Sequence, residues 1–234
     1  MHKVTKNGKT IQNARNNNDV QGYALKADIK HYFDTVDHNI LLNIIAKRIR
    51  DDKLLRLTKV ILNNYNSGTP GKGMPLGNWT SQFLANIYLN ELDQYAKHEL
   101  KAKYYIRYVD DFIILHPNKT VLTKYEQKIK TFLQKLQLEL HPDKCKIISL
   151  SKGISFLGFR TFYHHKLILQ RNLRKILKKL KQMLEQYKTK NTTAEDINET
   201  LHGWNAYAKH ANTHKLRTTL TQTTQKEINA GARI

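Results

Sequence analysis

The chain has 234 residues, with 40 Lys+Arg against 19 Asp+Glu and a formal net charge of +21. That excess excludes an ordinary soluble enzyme of small molecules and points to a polyanionic partner, because a clustered basic surface gains most by neutralising phosphates. Hydrophobic residues make up 40% of the chain, enough to bury a core and to exclude a disordered basic tail.

In chain order, residues 1–22 are polar and rich in Asn and Lys. They lack the apolar stretch of a signal peptide, and their composition predicts poor order. From Tyr23, the segment Tyr23-Ala24-Leu25-Lys26-Ala27-Asp28-Ile29 alternates like a strand. Asp37 is placed to cap a helix in which Ile40, Leu41, Ile44, Ile45 and Ile49 recur at helical spacing. Leu54, Leu57, Val60, Ile61 and Tyr65 predict a second helix. A breaker loop over residues 67–77 follows, with four glycines and two prolines. Residues 79–98 read as a helix with Leu84, Ile87, Tyr88, Leu92 and Tyr95 inward.

Residues 104–115 form a dense β-type run broken by Asp110-Asp111, the pattern of a hairpin. Leu122, Tyr125, Ile129, Phe132, Leu133 and Leu136 mark another helix, and residues 144–150 a strand. Residues 154–161 and 163–169 predict a second hairpin, followed by helices over 172–187 and 194–210 and a weaker one from Lys215. Between Lys166 and Lys190 stand nine Lys/Arg and a single acid, Glu185. The only cysteine, Cys145, excludes a disulfide framework or a cysteine zinc site and fits a reducing cytoplasm. No stretch approaches the ~20 apolar residues of a membrane helix, so no membrane partner is expected.

Tyr108-Val109-Asp110-Asp111-Phe112 sets two adjacent acids inside a run of aromatic and β-branched residues. Strand interiors are poor in Asp, and two close carboxylates repel unless a cation is present. Taken alone, the pair reads as a hairpin turn. Asp28 ends another apolar strand. Strand and hairpin together would place three carboxylates at one sheet edge, a set suited to two metals ~3.5–4 Å apart in an in-line phosphoryl transfer.

These segments resemble a known family. Ala24-Leu25-Lys26-Ala27-Asp28-Ile29-Lys30-His31-Tyr32-Phe33-Asp34 and Tyr108-Val109-Asp110-Asp111 are similar to motifs A and C of reverse transcriptases. The run from Gly73 through Gly77-Asn78-Trp79-Thr80-Ser81-Gln82 to Asn86 resembles motif B. Leu138 to Ile148 resembles motif D, and Phe156-Leu157-Gly158-Phe159 resembles motif E. The five occur in the family's order and cover about residues 23–160. Leu76-Gly77-Asn78 and Ser81-Gln82 resemble diversity-generating retroelements and related bacterial lineages, where group II intron enzymes typically carry a Pro-Gln-Gly and Ser-Pro pattern instead. The chain as a whole resembles a bacterial retroelement type, of diversity-generating retroelement or group II intron-like kind.

The resemblance implies an α+β fold: a polymerase palm, an antiparallel sheet with packed helices, followed by an α-helical thumb, with the fingers largely missing. The corresponding domains are a flexible fingers remnant at 1–22, a palm at 23–165, and a basic helical thumb with a C-terminal tail at 166–234. The short leader makes the chain resemble an N-terminally truncated polymerase. Asp28, Asp110 and Asp111 match the family's catalytic metal ligands, for two Mg²⁺ ions with Mn²⁺ as an alternative. Ile29, Phe33, Gln82, Asn86 and Lys144 match substrate-binding positions, Phe33 as the aromatic gate against a ribose 2′-OH. Leu157, Gly158 and Phe159 match the primer grip, and Arg174 and Lys178 lie in the basic run that would track phosphates. Trp204 and Tyr207 are expected between thumb helices, and Arg107 and Asp37 in structural roles. The implied partners are an RNA template, a DNA primer and dNTPs, and the implied activity is RNA-directed DNA polymerisation. The rival reading is a non-catalytic, maturase-like RNA-binding module.

Overall fold

The structure is a computed structural model that describes residues 20–65 and 68–231. The expectation of a poorly ordered leader falls outside the described residues up to position 19. The chain divides into two compact units between Ser149 and Leu150. The Phe156–Phe159 hairpin therefore belongs with the helical unit, whereas the 23–165 span drawn from the sequence grouped it with the first sheet.

The first unit is built on a four-stranded antiparallel sheet, order β2-β3-β1-β4, with β1 (Tyr23–Asp28), β2 (Tyr104–Tyr108), β3 (Asp111–His116) and β4 (Lys146–Ser149). Alternation along the strands sorts the two faces. Leu25 and Ala27 of β1 and Phe112 and Ile114 of β3 are fully buried against the helices. Lys26, Asp28 and Asp111 alternate with them and so lie on the opposite face.

The helices start where the sequence supplies caps. The Asp37 carboxylate accepts from the Ile40 amide at 3.0 Å and opens α2 (His38–Ala46), after the single turn α1 (Tyr32–Thr35). Asp51 caps α3 (Asp52–Asn63), and such caps are worth about 1 kcal/mol each. The expected helix over 79–98 is α4 (Trp79–Gln94) continued by a π-helical turn, Tyr95–Glu99. The extra residue in that turn lets the Leu100 amide reach the Tyr95 carbonyl at 3.0 Å. Helix α5 (Lys119–Lys135) lies across the sheet with Leu122, Ile129 and Leu133 fully buried. Each such side chain contributes roughly 2 kcal/mol of burial.

The second unit has a three-stranded antiparallel sheet, β5 (Ile154–Phe156), β6 (Phe159–Thr161) and β7 (Lys166–Ile168). The sequence predicted one hairpin from 154–161 against 163–169. That pairing is present as β6 against β7, and a further turn at Leu157-Gly158 splits the first run into two strands. Both turn residues have positive φ, +48° and +86°, the pattern of a tight hairpin turn whose twist matches its strands. Three helices complete the unit: α6 (Gln170–Lys188), α7 (Ala194–Ala208) and α8 (His214–Gly231). A reciprocal capping box between Thr193 and Asp196 starts α7. Trp204 is buried, and Tyr207 stacks on Phe159 with ring centroids 4.7 Å apart. Both serve packing, as the sequence indicated.

Candidate active site

Asp28 is the last residue of β1 and Asp111 the first of β3, and the two are direct cross-strand partners. Side chains so paired stand about 5 Å apart at Cβ, and like charges there are destabilising. Asp110 sits in the two-residue turn that joins β2 to β3. The sheet thus brings all three acids to one end. The turn is strained: Val109 takes φ +56°, a region that β-branched residues rarely enter.

Arg107 holds that turn. Its Nη1 donates to the Val109 carbonyl at 2.8 Å, and its Nε and Nη2 fork onto Asp93 at 2.8 and 2.7 Å. The Tyr105 hydroxyl donates to the same Asp93 carboxylate at 2.6 Å. Asp93 lies on α4, so the fork ties the acidic hairpin to the helix behind it. Sequence reading missed Asp93. Its signal was the alternation that sets Tyr105 and Arg107 on one face of β2, where both need a partner. Arg107 also donates to Asn86 Oδ1 at 3.1 Å, while Asn86 Nδ2 donates to the Gln82 carbonyl at 2.9 Å. Gln82 and Asn86 are exposed on α4, and Ser81 beside them is buried.

Two lysines face the acids. Lys144 Nζ lies 3.0 and 3.2 Å from the two Asp28 oxygens, and Lys26 Nζ lies 3.6 Å from Asp111 Oδ2. Lys144 is carried by a loop anchored through the His141 amide, which donates to the Asp28 carbonyl at 2.8 Å. Asp111 Oδ1 is buried without a hydrogen-bond partner. Burial pushes Asp110 and Asp111 above the usual carboxylate range. The negative charge of Asp28 raises both further, while Lys26 opposes the rise at Asp111 and backbone N–H donors and Lys144 oppose it at Asp110. Such a donor set suits a hard divalent cation: all oxygen, mutually repelling, one oxygen unsatisfied. Among the described residues, however, no three His, Cys, Asp or Glu side chains are gathered closely enough to enclose a metal ion.

The remaining expected residues divide. Phe33 is half-buried, its ring edge-on to Tyr32 at 5.5 Å. Tyr32 is the core member of the pair, buried, with its hydroxyl donating to the Ala85 carbonyl at 2.6 Å. The Met74 amide donates to the Phe33 carbonyl at 2.7 Å, so the loop before α4 is tied to the turn after β1. Ile29 does not line the site. Strand alternation carries it to the helix-covered face, where it is 1% exposed, and its amide donates to the Asp110 carbonyl at 3.2 Å.

In the second unit, Arg174 and Lys178 are exposed on α6, whose apolar stripe is buried at Ile176 and Leu180. Phe159 is 3% exposed and belongs to the core of that unit, so its ring is closed to a primer strand. The Gly158 carbonyl accepts from the Leu169 amide (3.1 Å), Asn172 Nδ2 (3.3 Å) and the Tyr207 hydroxyl (2.9 Å). A Cβ at Gly158 would collide with that hydroxyl. Glycine is required there by turn geometry and by Tyr207. Leu157 remains half-buried at the turn.

The family model described as "Reverse transcriptase (RNA-dependent DNA polymerase)" matches residues 2–161. The match begins well ahead of residue 23, where the motif resemblance starts. The chain is 27% identical over 176 residues to Protein YkfC of Escherichia coli (strain K12), covering 59% of this chain and 46% of that protein. It is 28% identical over 212 residues to the Retron Ec73 reverse transcriptase of Escherichia coli, covering 82% of this chain and 63% of that one. It therefore spans less than two thirds of the length of either relative. The structure of apo telomerase from Candida tropicalis matches with a TM-score of 0.58 at 17% identity, covering 99% of this chain and 47% of the other. At that identity the likeness is one of fold.

Proposed function

The chain belongs to the reverse transcriptase (RNA-dependent DNA polymerase) family and is of the bacterial retroelement type, and on that premise we propose that it extends a DNA primer on an RNA template by two-metal nucleotidyl transfer. The observation that carries this reading is the cross-strand pairing of Asp28 with Asp111 beside the strained Asp110 turn. Three carboxylates crowded at one sheet end in a chain of net charge +21 call for a cation to relieve them.

Asp28, Asp110 and Asp111 would hold two Mg²⁺, which when bound activate a primer 3′-hydroxyl and neutralise the leaving pyrophosphate. The chain's own groups do the positioning. Arg107 and Asp93 fix the turn that carries Asp110 and Asp111. The Phe33 ring, held through its backbone by the Met74 amide and backed by Tyr32, excludes a ribose 2′-OH and selects dNTPs. Gln82 and Asn86 offer uncharged amides to a base or sugar. Lys144 leaves Asp28 to place its ammonium against the departing phosphates. The exposed bases of α6, Arg174 and Lys178 among them, follow the backbone of a nucleic acid.

The test is primer extension on poly(rA)/oligo(dT) with Mg²⁺ or Mn²⁺, beside Asp110→Ala. Wild-type extension that the variant loses supports the reading. Equal extension by both removes the acids from the chemistry. The Lys144–Asp28 and Lys26–Asp111 contacts, which already set a positive charge against two of the three acids, favour a second reading, a non-catalytic RNA-binding module. It predicts salt-sensitive RNA retention that Asp110→Ala leaves unchanged, with no extension by either protein.

A further inference from the structure

We propose that Lys26 is a fixed competitor of divalent cations at Asp111 and sets the metal affinity of the acidic sheet end. This rests on the reading above, that the three acids hold metal. Lys26 stands two residues before Asp28 and so shares its face of the sheet. Its strand is central: Lys26 pairs with Ile113 of β3 on one side and Lys146 of β4 on the other. Both ladders hold its backbone, so the ammonium stays within one side-chain length of the acids. Its Nζ is 3.6 Å from Asp111 Oδ2, and the two side chains are only 25% and 24% exposed, which limits screening by solvent. Lys146 is exposed in the same row and offers the Lys26 ammonium no counter-charge on that side.

Lys144 differs. It reaches Asp28 from a loop, and its side chain is 54% exposed, so it can swing away when a metal arrives. Lys26 cannot. Its charge occupies one Asp111 oxygen and leaves Oδ1 unpartnered, and it opposes any cation that binds there. The acids are thereby kept loosely loaded until a nucleotide brings its own phosphates as additional ligands.

The test is Mn²⁺ binding to the full chain without nucleotide, with unbound Mn²⁺ followed by electron paramagnetic resonance. Lys26→Met should bind about tenfold tighter than wild type, from removal of one charge at close range. Lys26→Arg should remain near wild type, and Asp111→Asn should bind more weakly. Lys26→Met should also melt lower, because Asp111 loses its partner. Tighter binding by a less stable protein cannot come from general damage to the fold. Equal or weaker Mn²⁺ binding by Lys26→Met, with Asp111→Asn still weakened, overturns the role of Lys26 and leaves the metal reading standing. If Asp111→Asn binds as well as wild type, the metal reading fails and the proposal with it.

Discussion

Each unit of this chain contains a hairpin that turns on two residues, and each turn contains a non-glycine residue in the left-handed region, Val109 in one and Leu157 in the other. Their surroundings differ. At Leu157-Gly158 three donors converge on the Gly158 carbonyl, and the neighbouring Phe159 is sealed in the core. At Val109-Asp110 the backbone is held by Arg107 and the Ile29 amide, yet one Asp111 oxygen has no partner and the acids repel. The same local device is fully satisfied where it builds a core and left partly unsatisfied where it presents charge. Strain is common to both turns, and unmet polar groups mark the second kind of place.

The contrast can be broken or sharpened by substitution. The largest effect is expected for Asp110→Asn, which should lower the rate of single-turnover primer extension by about a thousandfold, since metal-held charge supplies several kcal/mol of barrier reduction. Next is Gly158→Ala, which meets both a positive φ and the Tyr207 hydroxyl and should destabilise the second unit by about 2–3 kcal/mol in urea unfolding. Tyr207→Phe removes one of the three donors to Gly158 and should cost about 1 kcal/mol in the same measurement.

The smallest effect has the opposite sign. Because burial and the charge of Asp28 raise Asp110 above the ordinary carboxylate range, its ionised form is disfavoured in the fold relative to the unfolded chain. Asp110→Asn should therefore melt higher than wild type at pH 7. The advantage should shrink as pH falls through the raised value and vanish below about pH 4, where the wild-type carboxyl is protonated in both states. A variant that melts lower at pH 7 would place Asp110 with the satisfied hairpin instead.

Much of this was legible in residue order. Alternation located β1 and the 104–115 hairpin, helical spacing located α2 and α5, and Asp37 marked its cap because a short carboxylate before an apolar periodic run has few other uses. The acids stood out because Asp is out of place among Val, Phe and Ile. What escaped were properties of three-dimensional neighbours. Ile29 follows Asp28 in sequence, but pleating sends it to the other side of the sheet. Phe159 sits in a recognisable motif, but its burial depends on α7, some fifty residues later. Asp93 lies in an ordinary helical stretch, and only the fork from Arg107 gives it a task. The end of the first unit at Ser149 was hidden because β4 and β5 read alike as short apolar runs, and only pairing separates them.

The Asp28–Asp111 register has a consequence for how this chain can change length. Side chains alternate with period two, so deleting one residue between Tyr23 and Asp28 would leave composition and charge almost untouched and still turn the paired acid toward the helices. Insertions and deletions are thus far more costly in β1 and β3 than substitutions of similar chemistry. The loop that carries Lys144 is under no such parity rule. Engineered variation in length belongs in that loop, and a library built on this scaffold should hold the residue count of both strands constant.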